Sequence, residues 1–295
     1  MTSTTYQRVL ITGARGQLSR ALVQAAPAGT ECFGVTRSEI DITDEAAVNG
    51  VMAQVKPDLV INGAAYNLVD KAETDGMQDA LNINALGVAR LSRACREADI
   101  PLVHFSTDFV FDGKKRTPYT EDDKTGPLGV YGASKLAGEN IALAGSPRNF
   151  AIRVCRLYGP LEADGPTQKP SGNFPLLMLR LGRERESVRV VSDQIGTPTY
   201  TPDLARAVWQ LLGCAQGGLF QLSNAGEVSF DDYAREIFRL ARVECRVESV
   251  TSEEYAAPAR RPLYSTFSNA KAHAAGVTPL RHWRDALAEF IAQAG

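Results

Sequence analysis

Histidine is scarce: His104, His273 and His282 are the three in 295 residues, and none stands at metal-ligand spacing from another. Cysteine is odd in number and scattered. Cys32, Cys95, Cys155, Cys214 and Cys245 form no close pair, which argues against a disulfide framework and against a thiolate zinc site. No apolar run approaches the roughly 18 residues of a membrane span, and residues 1–8 lack the charged-then-apolar layout of a secretory leader. A net charge of -2 leaves no broad basic field for nucleic acid. No internal repeat or low-complexity tract is visible. What is present is an ordinary globular balance, 44% hydrophobic and 22% charged, in a chain long enough for two lobes. The expectation is a soluble, reduced, cytoplasmic protein that holds no metal.

The first half alternates short apolar runs with longer helical patterns. Strands are expected over residues 8–13, 31–36, 58–62, 102–106 and 151–155. Helices are expected over 17–26, 44–55, 77–98 and 131–144, the second capped by Thr43 or Asp44. Such alternation implies an α/β fold: a doubly wound parallel sheet of the Rossmann type with helices on both faces. Residues 1–155 are read as a dinucleotide-binding domain. Residues 156–295 are read as mainly a smaller C-terminal substrate lobe, with some segments returning to the sheet. Helical patterns recur there near 174–185, 202–213, 230–242 and 283–293, after a Pro- and Gly-punctuated stretch at 159–175 that reads as a long functional or mobile loop.

The βα turn Thr12-Gly-Ala-Arg-Gly-Gln-Leu-Ser19 suits a pyrophosphate. Gly13 allows the tight turn, Gly16 lets the backbone approach, and the helix that follows offers free N–H groups. Ser19 stands where a third glycine would help the helix pack on the sheet, so a modest packing cost is expected. The second strand ends Val35-Thr36-Arg37 with no acid before Glu39. An acid there serves a ribose 2′-OH, whereas Arg37, aided by Arg15, suits a 2′-phosphate. NADPH is therefore the expected cofactor, with NADH as the alternative.

Tyr131-Gly-Ala-Ser-Lys135 puts a phenol and an amine on one helix face. The spacing alone is common; Ser106-Thr107-Asp108 directly after the fourth strand gives it meaning. Ketone reduction leaves an alkoxide that needs a proton, and a free tyrosine, with a pKa of about 10, is a slow acid at neutral pH. An ammonium at roughly 4 Å would favour the phenolate by about 4 kcal/mol at an effective dielectric of about 20. The Thr107 hydroxyl would orient the carbonyl.

With these stretches the sequence resembles the extended short-chain dehydrogenase/reductase superfamily, and within it the dTDP-4-dehydrorhamnose reductases. The resemblance covers nearly the whole chain. It is carried by Gly13-x-x-Gly16-Gln-Leu18, Asp41-Ile-Thr-Asp44, Asn62-Gly-Ala-Ala-Tyr66, Val69-Asp-Lys-Ala-Glu73, Ser106-Thr-Asp-Phe-Val-Phe-Asp-Gly113, Pro127-Leu-Gly-Val-Tyr131 and Arg156-Leu-Tyr-Gly159. In the second half it continues through Asn173-Phe174, Asp193-Gln-Ile-Gly-Thr-Pro-Thr199, Asp203-Leu-Ala205, Arg261-Pro262 and Ser265. It implies reduction of the 4-keto group of a dTDP-6-deoxy sugar with NAD(P)H, the last step to dTDP-L-rhamnose. It implies that Gly16, Gln17 and Leu18 line the pyrophosphate, Asp41 and Ile42 flank the adenine, and Ala64, Ala65 and Tyr66 border the nicotinamide half. Tyr131 would be the proton donor and Lys135 its partner and ribose anchor. Thr107, Asp108, Arg156 and Asn173 would contact the sugar nucleotide.

Arg156 replaces a tryptophan of some members, Asn67 a threonine, Ser19 a glycine, and Ala21 a glutamate tied to Mg²⁺ in others. Four other readings share the fold: a reductase of another 4-keto sugar nucleotide, and three of different chemistry. A dehydratase is disfavoured because Phe109, after Asp108, transfers no proton; an epimerase with tightly held NAD would consume no added NADPH; a non-catalytic NADP-binding regulatory subunit would not need Tyr131. The expected partner is a small-molecule nucleotide sugar, with no nucleic acid and no membrane, and a homodimer as the candidate assembly.

Overall fold

A computed structural model describes residues 5–161 and 172–294. The loop expected over 159–175 falls mainly on residues outside that description. The chain begins β1 (Arg8–Thr12), α1 (Gln17–Gln24), β2 (Glu31–Val35), α2 (Glu45–Val55) and β3 (Leu59–Asn62). Two short helices follow, α3 (Val69–Ala72) and α4 (Met77–Leu81), then a π-helical turn (Asn82–Gly87) running into α5 (Val88–Glu97). Next come β4 (Leu102–Thr107), a 3-10 turn (Asp108–Val110), α6 (Val130–Gly145), β5 (Phe150–Val154) and β6 (Leu157–Tyr158). The second half adds α7 (Phe174–Glu184), β7 (Ser187–Val191), β8 (Ile195–Gly196), β9 (Thr199–Tyr200), α8 (Thr201–Cys214) and β10 (Gly218–Leu222). It closes with β11 (Val228–Ser229), α9 (Phe230–Ala241), β12 (Arg246–Val250), α10 (Ser252–Tyr255), α11 (Ala270–Ala275) and α12 (Trp283–Ala294).

Six parallel strands lie side by side in the order β10-β5-β4-β3-β1-β2. β3 and β4 are buried at every position, as strands covered on both faces must be. One face is covered by α1, α8 and α11 through Leu18, Leu22, Leu204, Val208 and Ala272. The other carries α2, α5 and α6 through Val48, Val55, Leu91, Cys95 and Ala142. A separate core joins α7, α9 and α12 around Tyr233, Phe238, Trp283 and Phe290. β10 belongs to the second half of the chain yet completes the sheet beside β5.

Local chemistry accounts for most boundaries. Asp44, rather than Thr43, caps α2: its Oδ1 accepts from Ala46 N at 2.9 Å. The helical pattern over 77–98 is one continuous path, but its middle widens into the π turn. Strand order reverses between β1 and β3, and a doubly wound sheet binds ligands beyond that point.

Candidate active site

At the reversal, Gly13 adopts a φ of +65°. A Cβ there would lie 2.8 Å from Ala64 N and from the Gly63 carbonyl, so the two loops meet too closely for a side chain. Gly16 N donates back to Gly13 O at 2.8 Å, and Gly16 starts α1 with no side-chain cap. The first N–H groups of the helix are thus left for a ligand, an open cradle suited to a dinucleotide pyrophosphate. Ser19 costs less than expected. Its hydroxyl donates to Thr12 O at 3.1 Å, and it occupies the space that a Cβ on Gly63 would fill. The missing glycine has a counterpart across the interface.

Gln17 and Asn173 join the turn to the second half. Gln17 Nε2 donates to Leu157 O at 3.1 Å, while Asn173 Nδ2 donates to Gln17 Oε1 at 3.2 Å and Gly159 O at 2.8 Å. Asn173 Oδ1 also caps α7 by accepting from Leu176 N. The Leu18 side chain points into the core, which leaves its backbone for a ligand.

Arg37, Asp41 and Ile42 gather beyond β2. Arg37 is 74% exposed and lies 3.7 Å from Asp41, whose carboxylate accepts from Thr43 N and Oγ1 and is held below its ordinary pKa chiefly by those bonds. Ile42 is buried against Gly87.

Beyond β3, Ala64 N donates to Asn62 Oδ1 at 3.2 Å and Thr12 Oγ1 at 3.3 Å. Ala65 is half-buried beside it. The Tyr66 backbone is held from both sides: its N donates to Asn84 Oδ1 at 2.9 Å and its O accepts from Asn84 Nδ2 at 3.1 Å. Asn84 Nδ2 also reaches Ser134 Oγ on α6. The π turn carries Asn84, and π turns recur at functional sites.

Thr107, Asp108, Tyr131 and Lys135 converge beyond β4. Tyr131 is 9% exposed, packs edge-on to Phe109 at 5.4 Å and shares an apolar cluster with Tyr66. Its hydroxyl donates to Asn67 Oδ1 at 3.4 Å. Burial pushes the phenol well above its ordinary pKa, the Thr107 hydroxyl opposes that, and Asp108 adds to it. Lys135, 3% exposed, donates to Phe105 O at 2.5 Å. Burial lowers its pKa to about 8, with Glu139 opposing. The expected drop in the Tyr131 pKa is therefore overturned: the ammonium is committed to a backbone carbonyl, and desolvation of the phenol dominates.

Asp108 is 3% exposed, and burial raises its pKa. Arg156 has a φ of +45°. Its guanidinium donates to Val228 O at 3.0 Å and Gln194 O at 2.9 Å and lies 3.8 Å over the Phe230 ring.

Other residues hold this group in place, several of them inside the stretches that carry the resemblance but given no role there. Asn62 Oδ1 accepts from Thr12 Oγ1 at 2.6 Å and its Nδ2 donates to His104 Nδ1 at 3.1 Å, locking β1, β3 and β4. Glu73 Oε1 accepts from Val130 N at 2.7 Å, anchoring the start of α6. Asp70 pairs with Arg261 at 2.8 Å. A polar residue inside an apolar helical pattern was the available signal for Asn84. Among the described residues, no three His, Cys, Asp or Glu gather as metal ligands and no helix is long and apolar enough to cross a membrane.

Residues 7–295 match the family model for the RmlD substrate binding domain. The chain is 42% identical over 290 residues to a dTDP-4-dehydrorhamnose reductase of Mycolicibacterium smegmatis, covering 97% of this chain and 85% of that one. It is 39% identical over 285 residues to a dTDP-4-keto-6-deoxy-D-glucose reductase of Streptomyces niveus, covering 96% of each. The crystal structure of a dTDP-4-dehydrorhamnose reductase from Bacillus anthracis in complex with NADP superposes with a TM-score of 0.90 at 34% identity, covering 99% of this chain and 100% of that one.

Proposed function

Because the chain belongs to the dTDP-4-dehydrorhamnose reductase family, we propose that Tyr131, Lys135 and Thr107 are the side chains with which it reduces the 4-keto group of a dTDP-4-dehydro-6-deoxy sugar. The enzyme is an NADPH-dependent oxidoreductase of dTDP-rhamnose biosynthesis. The observation that supports these roles is the meeting of a buried phenol and a threonine hydroxyl beside the glycine cradle. Gly13, Gly16, Gln17 and the Leu18 backbone would hold the pyrophosphate of the cofactor, with Ala64, Ala65 and Tyr66 along its reactive half. Bound NADPH supplies the hydride.

The remaining chemistry belongs to the chain. Thr107 donates a hydrogen bond to the carbonyl and orients it. Tyr131, kept protonated by its buried setting, gives its proton to the developing C4 alkoxide. Lys135, four residues on along α6, would favour negative charge on the phenol oxygen after transfer. Asp108, Arg156 and Asn173 border the sugar-nucleotide side. The direct test is incubation with NADPH and a panel of 4-keto dTDP- and GDP-sugars, following cofactor oxidation and identifying the product. Failure to oxidise NADPH with any dTDP-4-keto sugar refutes the assignment.

Two results follow. A Lys135 pKa of about 8 means that the cation exists below that pH and disappears above it. kcat/KM is therefore expected to fall as pH rises through about 8; a flat profile from pH 7 to about 10 contradicts the role of the cation. Arg37→Ala removes an exposed positive charge beyond β2. The KM for NADPH should rise about tenfold while that for NADH stays put; equal changes for both cofactors would remove Arg37 from 2′-phosphate binding.

A further inference from the structure

A segment far away in sequence reaches Asp108, the neighbour of Thr107. Residues 261–268 run as a strap over the end of β4. Arg261 grips Asp70 through both carboxylate oxygens at 2.9 and 2.8 Å. Ile195 N donates to Leu263 O at 2.8 Å, Ser265 N to Ile195 O at 2.9 Å, and Ser268 N to Tyr119 O at 2.8 Å. Gly113 has no room for a Cβ against Pro262 and Leu263. Clamped on both sides, Ser265 is 2% exposed, and its hydroxyl donates to Asp108 Oδ2 at 2.7 Å. The Cys155 thiol donates to the same oxygen at 3.3 Å. The other oxygen, Oδ1, lies 3.1 Å from Thr107 Oγ1, which already accepts from Phe109 N at 3.3 Å.

Counting hydrogens makes this arrangement consequential. Thr107 has one hydroxyl hydrogen. Beside an ionised Asp108 that hydrogen is committed to Oδ1, and Thr107 can offer the substrate only lone pairs. Beside a neutral Asp108 with its proton on Oδ1, the acid donates to Thr107, whose own hydrogen is then released toward the carbonyl. With the Ser265 hydroxyl and the Cys155 thiol both directed at Oδ2, Oδ1 is the oxygen left for the acid proton. We propose that Ser265 is a positioning residue: by donating to Asp108 Oδ2 it confines the carboxyl proton to Oδ1 and so aims the Thr107 hydroxyl at the substrate carbonyl. This rests on Thr107 being the carbonyl's donor. Burial raises the Asp108 pKa against the lowering effects of Ser265, Arg156, Cys155 and Thr107, and burial keeps Cys155 a thiol. The groups facing Asp108 are Thr107 on β4, Tyr131 on α6, Cys155 and Arg156 after β5, and Ser265 on the strap.

The test is a double-mutant cycle on kcat with purified full-length protein. Ser265→Ala should lower kcat about tenfold, with the dissociation constant for NADPH and the KM for the sugar nucleotide within about twofold. Ser265→Thr, which keeps the hydroxyl, should restore most of the loss. In a Thr107→Val background Ser265→Ala should have no further effect, because the two residues act through one hydrogen bond. Equal losses in both backgrounds, or an unchanged kcat for Ser265→Ala, overturn the inference. If Thr107→Val itself leaves kcat intact, the donor role of Thr107 falls, and this inference with it.

Discussion

Tyr131→Phe is expected to lower kcat about 1000-fold while leaving NADPH binding within about twofold. The variant removes one oxygen and nothing else: the ring keeps its edge-on contact with Phe109 and its place beside Tyr66, Ala72 and Ala80. The hydrogen bonds lost are the one with the Thr107 hydroxyl and a long one to Asn67, at 3.4 Å, which contributes little to the fold. The buried phenol keeps its proton across the workable pH range, which is the form a reductase needs for protonating an alkoxide. Rapid mixing with a 4-keto sugar nucleotide, with titration calorimetry for the cofactor, separates chemistry from binding. A kcat within tenfold of the parent means that another group, or water, delivers the proton.

Glu139→Gln should destabilise the protein by about 3 kcal/mol, read as a lower midpoint in urea unfolding. Glu139 and Arg153 have side chains 2% and 3% exposed and meet through two bonds, at 2.9 Å from Nε and 2.6 Å from Nη2. The amide leaves the Arg153 cation desolvated without a full counter-charge, although its stacking over Phe111 at 4.9 Å persists. The same substitution carries a functional signature. Glu139 raises the Lys135 pKa against burial, so its removal moves that pKa below about 8. The alkaline fall of kcat/KM should then begin at lower pH. A loss of stability without that movement would separate Glu139 from the titration of Lys135.

Much of the architecture was legible because it is local. Val9-Leu10-Ile11-Thr12 is an apolar run followed by a glycine, and a strand buried on both faces needs no partner information to be recognised. The Gly13–Gly16 turn and the Tyr131–Lys135 spacing are likewise local, since turn geometry and helical pitch are set within a few residues. The departures come from distance. Ser19 looked costly only because Gly63, forty-four positions on, was not known to face it. The Tyr131 phenol was expected to move down beside Lys135 and moves up, because Phe105 O takes the ammonium and the surrounding core removes water.

Sequence by itself determined the strand–helix alternation, the glycine turn, the helix bearing phenol and amine, and membership of the reductase group, since each is written in side-chain size, polarity and short spacing. Tertiary structure alone decided that β10 completes the sheet and that Arg156 is pinned by Val228 and Gln194. It also decided that the strap brings Ser265 to Asp108 and which way each buried group titrates. Those outcomes depend on desolvation and on contacts between segments tens to more than a hundred residues apart, and neither quantity exists until the chain has closed on itself.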